Sequence, residues 1–102
     1  YTMLQKKARL GGIKMTNAGF TIVQSEIYEQ YVSHDTEHIQ MYGVCIGRKP
    51  KEYVTWEFAV NEKGEYSYFW GHYFTSKNRA FEDYHRRLID KFSKRIDRGD
   101  TE

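Results

Sequence analysis

Five consecutive residues, His34-Asp35-Thr36-Glu37-His38, bring together four side chains able to ligate a metal. Zinc asks for several ligands converging tetrahedrally, as a rule from more than one segment. Two histidines four apart face one way only on a helix, and this stretch joins two strand-like runs without the glutamate spacing of HExxH. It reads as a solvated polar loop, so no metal and no other cofactor is expected. His72 stands between Gly71 and Tyr73 near a strand end. A general base there would need a nucleophile or acid within reach, and nothing aligns it with Cys45, the single thiol. His72 and His85 are read as hydrogen-bonded at a sheet–helix seam, and Cys45 as a small buried hydrophobe. The chain has no P-loop, no GxGxxG and no serine in a nucleophile-elbow context. No catalytic residue is assigned, and a non-enzyme is expected.

Charge is unevenly spread over the 102 residues, whose net charge is only +2. Residues 1–18 hold four bases and no acid, 19–74 four bases and eight acids, and 75–98 eight bases and four acids. Basic ends around an acidic middle fit solvated flanks, and also a polyanion-binding side. For the second case the candidates are Arg79, Arg86, Arg87, Lys94 and Arg95, with exposed aromatics stacking on bases. No run of about 18 apolar residues suggests a membrane span. One cysteine excludes an internal disulfide and a CxxC site, and a reducing, cytoplasmic setting is expected.

The elements that must position these groups begin after a basic leader, residues 1–18, which is left out of the fold. FTIVQSEIYEQYV (20–32) and HIQMYGVCIG (38–47) read as strands, and Arg48-Lys49-Pro50-Lys51 as a turn. Asn61-Glu62-Lys63-Gly64 matches a type I turn closed by a left-handed glycine, so flanking residues pair with numbers summing to 126. One hairpin face then collects Val54, Trp56, Phe58, Val60, Tyr66, Tyr68, Trp70, His72 and Phe74. The other carries Tyr53, Phe69 and Tyr73 among Thr55, Glu57, Ser67 and Gly71. Residues 76–97 form a helix capped by Thr75 or Ser76, with Phe81, Tyr84, Leu88, Phe92 and Ile96 in one apolar stripe. The expected fold is α+β: a four-stranded antiparallel meander with a C-terminal amphipathic helix across the Trp56 face. Residues 19–98 make the single domain and 99–102 a tail. Tyr53, Phe69 and Tyr73 are then left as an exposed patch for a protein partner or self-association.

YVTWEF (53–58), YFWGHYF (68–74) and the helix opening with Phe81, Glu82 and Asp83 resemble small uncharacterised proteins of Gram-positive conjugative elements and phages. The likeness covers about residues 17–95 and is sharpest in the tryptophan, turn and WGHY pattern. It implies a bacterial cytoplasmic setting and an accessory role on a mobile element, and brings no activity with it. The expected function is a non-enzymatic accessory protein that binds a protein partner through its aromatic sheet surface. The alternatives are a nucleic-acid-binding module using the basic helix, and an inhibitor of host defence of the anti-CRISPR or antirestriction type.

Overall fold

A computed structural model describes residues 15–32 and 39–100, with the side chains of 95–100 excepted. The HDTEH cluster lies outside the described residues, as does most of the basic leader. The chain forms five strands, β1 (Thr16–Asn17), β2 (Phe20–Val32), β3 (Ile39–Lys49), β4 (Glu52–Val60) and β5 (Tyr66–Phe74), then one helix, α1 (Lys77–Asp100). All strand pairings are antiparallel and follow chain order. The expected α+β meander is therefore present, with five strands where four were expected. The additional strand turns back through Ala18 (φ 53°) and Gly19 (φ 84°). Two successive positive φ values are the geometry of a type I′ hairpin. Alanine at the first of them hides the turn from a search for Asn-Gly or Gly-Gly.

The β4–β5 turn forms as its residues dictate. Gly64 takes φ 81° and donates to the Asn61 carbonyl over 2.9 Å. Asn61 Oδ1 accepts the N–H groups of Lys63 and Glu65, each at 2.9 Å. The expected register holds for Val60–Tyr66, Ala59–Ser67, Phe58–Tyr68 and Glu57–Phe69, then slips by one at a bulge. Beyond it Thr55 opposes His72, Val54 opposes Tyr73 and Tyr53 opposes Phe74.

That slip corrects the assignment of faces. Because side chains alternate, Tyr73 moves to the Trp56 face, while His72 and Phe74 move to the Tyr53 face. The cause is Trp56. Its indole lies over Gly71, where an added Cβ would come within 2.7 Å of Nε1. Trp70 cannot occupy the same space, and the strand bulges to expel it.

The helix also covers the other face from the one expected. Beneath α1 lie Tyr28, Tyr42, Val44, Ile46, Tyr53 and Phe74, packed on Ala80, Phe81, Tyr84 and Leu88. Phe20, Cys45, Val54, Trp56, Phe58 and Val60 form a second cluster on the opposite face, flanked by Ile22, Met41 and Tyr68. There the sheet curls into a half-barrel, helped by irregularities in β2 after Ile22 and Ile27. Aromatic rings close over one another: Trp56 meets Phe20 edge-on at 5.6 Å, Tyr68 at 5.4 Å and Tyr73 at 6.4 Å. A curled sheet can bury its concave side with its own side chains, and that leaves the convex side for the helix.

Candidate interaction site at the helix–strand seam

Two acids at the seam, Glu57 of β4 and Asp83 of α1, set the local chemistry. Glu57 is 7% exposed, and a buried carboxylate must be paired and hydrogen-bonded. Lys91 Nζ lies 3.3 Å from its Oε1 and Arg87 Nη1 3.7 Å from its Oε2, while Tyr28 donates its hydroxyl to Oε1 at 3.4 Å. Asp83 Oδ2 accepts from Thr55 Oγ1 at 2.5 Å and Arg87 Nε at 3.1 Å, and lies 3.0 Å from His72 Nδ1. Burial alone would raise the Asp83 pKa. The hydrogen bonds from Thr55, His72 and Arg87, with the Arg87 charge, outweigh it and hold the carboxyl below its ordinary range. An ionised carboxylate only accepts, so His72 Nδ1 is the donor in that contact.

Arg87 joins both acids and reaches the sheet backbone, donating from Nη2 to the Trp70 carbonyl at 2.6 Å. Trp70 is the bulged residue. It takes φ 57°, a left-handed conformation that is an outlier for a bulky side chain. The residue is 66% exposed, its ring edge-on to Phe69 at 4.9 Å, with Lys91 Nζ 5.9 Å from the ring centroid. Phe69, Lys91 and the pinned carbonyl thus hold a solvent-facing indole in one place.

The residues expected to make one aromatic patch are dispersed. Tyr53 is half-buried under α1. Phe69 is half-buried beside Trp70. Tyr73 is 56% exposed, but on the opposite face against Phe20 and Trp56. Trp70, expected inside, is the aromatic that is displayed. The signal for it was Gly71, since a glycine inside a strand often marks a bulge.

The basic candidates do not gather either. Arg87 is 9% exposed and committed to Glu57, Asp83 and Trp70. Arg79, Arg86 and Lys94 are exposed, but Glu82 and Asp90 alternate with them on the same helix face, and Lys94 pairs with Asp90 at 3.4 Å. The Arg95 side chain lies outside the described residues. Acids thus interrupt the run of bases along that face.

Cys45 lies on the Trp56 face and His72 on the other, so the sheet separates them. Burial pushes the Cys45 thiol up to about 12, against smaller lowering effects of a Trp56 backbone hydrogen bond and the Arg87 charge. Among the described residues no group of three or more His, Cys, Asp or Glu converges to hold a metal. No described helix is long and apolar enough to cross a membrane.

The class defined so far is an α+β protein with a curled antiparallel sheet and one long helix. No family model matches the chain, and no curated protein or solved structure shows significant similarity to it.

Proposed function

We propose that this is a non-enzymatic interaction module of the bacterial cytoplasm, an accessory protein of a mobile element, and that it grips a protein partner around Trp70. The carrying observation is the conformation of that residue. A left-handed backbone costs a bulky L-residue roughly 1–2 kcal/mol, and exposing an indole forgoes its burial. Strain at an exposed residue is characteristic of binding sites. Tryptophan is among the side chains most enriched at binding hot spots. Phe69 and Lys91 give the indole an amphipathic surround, which suits a protein surface. Alternation of sign along the exposed helix face weighs against nucleic acid. The resemblance through WGHY supports the mobile-element setting.

A photo-crosslinking amino acid at position 70, with position 63 on the hairpin loop as control, tests this in bacterial cells. A discrete protein adduct at 70 that is absent at 63 and survives nuclease is expected. A nuclease-sensitive adduct would transfer the role to the nucleic-acid alternative, and equal labelling at both positions would remove the site.

A further inference from the structure

The geometry points to self-association through the outer edge of β5, two copies pairing antiparallel about a two-fold axis at Ser67. This is independent of the Trp70 reading and uses the other end of the strand. Among the described residues β5 is the last strand of the sheet. The phase of its hydrogen bonds follows from the turn. Asn61 N–H donates to the Glu65 carbonyl at 3.1 Å, which makes 61/65 a hydrogen-bonded pair. Such pairs alternate with non-bonded ones in an antiparallel ladder. With the observed register, Ala59–Ser67 and Glu57–Phe69 are bonded, whereas Val60–Tyr66 and Phe58–Tyr68 are not. The main-chain N–H and C=O groups of Tyr66 and Tyr68 therefore point away from β4, along the free edge.

Protected edges carry charges, proline or inward-pointing lysines. Tyr66 to Phe74 contains no Asp, Glu, Lys, Arg or Pro. Its one irregularity, the bulge at Trp70, comes after the run Tyr66–Phe69 and leaves that run straight. A second copy is the occupant that fits. Placing outward residues opposite outward residues pairs Tyr66 with Tyr68 of the second copy, Ser67 with its own counterpart, and Tyr68 with Tyr66. The smallest side chain of the run then falls on the axis, at a non-bonded pair where Cα atoms approach to about 4.5 Å. The tyrosines continue an existing arrangement: Tyr66 and Tyr68 already stack at 5.9 Å and 17°, and Tyr66 is 43% exposed. No like charges meet in the pairing, as a closed, self-complementary contact requires.

Sedimentation equilibrium over a wide concentration range, with amide hydrogen exchange, tests the proposal on the full chain. The expected result is a dimer whose Tyr66 and Tyr68 amides become protected as concentration rises. Ser67→Lys, which sets two ammonium groups across the axis on an exposed position, should give a monomer whose denaturation midpoint matches that of wild type at concentrations too low for dimerisation. Ser67→Thr should remain dimeric. A wild-type monomer at all concentrations, or a dimer that Ser67→Lys leaves intact, would overturn the pairing. If Ser67→Lys alters folding, amide protection in Ser67→Thr decides: protection absent from Tyr66 and Tyr68 rejects the interface.

Discussion

Arg87 and Trp70, seventeen residues apart, are joined by a 2.6 Å hydrogen bond from guanidinium to main-chain carbonyl. The carbonyl is available because Trp70 stands at the bulge, and the guanidinium is there because buried Glu57 and half-buried Asp83 pair with it. One contact thus ties the helix to the strand at the residue that displays the exposed indole. Breaking it should be costly. Arg87→Ala would leave Glu57 and Asp83 under-compensated, and losing one partner of a buried pair costs about 3–5 kcal/mol. Chemical denaturation measures this, and a loss below about 1 kcal/mol would show the network to be dispensable.

The two tryptophans should respond in opposite ways. Trp70→Gly relieves roughly 1–2 kcal/mol of left-handed backbone cost. It loses an exposed cation–π contact worth about 0.5–1 kcal/mol and a comparable amount of unfolded-state entropy. Stability within about 1 kcal/mol of the native chain is expected. Trp56→Ala opens a cavity among Phe20, Tyr68 and Tyr73 and should cost about 3–5 kcal/mol. Equal losses in the two variants would mean that Trp70 is a core residue after all.

Much of the hairpin was legible in the sequence. Asn61 and Gly64 specify their turn through side-chain acceptance and positive φ, and four cross-strand pairs follow by counting. Counting stops at Trp70, because nothing local to a tryptophan announces a left-handed backbone. Gly71 hints at a bulge, but that Trp70 is the residue turned outward follows from how Trp56 packs over position 71, which is a three-dimensional fact. The helix position failed for a related reason. Apolar content favoured the Trp56 face as the helix's partner, but curling lets that face bury itself. The Thr55–Glu57 face needed cations instead, and α1 is rotated so that Ala80, Tyr84 and Arg87 point inward while Ile89 and Phe92 are exposed. Apolar periodicity alone does not register the demand of a buried carboxylate.

Gly64→Val should destabilise the fold by at least about 1 kcal/mol, since a β-branched residue is strained at φ 81°. Open space surrounds the position, so the cost is backbone strain without steric overlap. An unchanged denaturation midpoint would contradict the turn geometry.

Acid stability follows from Asp83. Its folded pKa lies below the ordinary 3.8, so its stabilising contribution is fully present above that value and is lost as pH falls through the folded pKa. The denaturation midpoint should decline below about pH 4, and Asp83→Asn should flatten that part of the profile. A profile identical to wild type would remove Asp83 from the linkage.

Cys45, with its thiol pKa pushed up to about 12 and its side chain buried, should resist aromatic disulfide reagents in the native state. Its labelling should become rapid only in denaturant. Fast native labelling would mean that the Trp56 face opens readily.

The unequal edges of the sheet bear on how far assembly can proceed. Among the described residues the side opposite β5 ends in β1, two residues long, which pairs with only Phe20 and Thr21 and leaves the remainder of β2 as the outer edge. That β2 edge carries Glu26 and Glu29 and breaks register after Ile22 and Ile27, two of the devices that discourage edge-to-edge pairing. Under the proposed pairing, contact at β5 consumes the uncharged edge of each copy and leaves the charged, irregular one unengaged, which favours two copies over open-ended fibres.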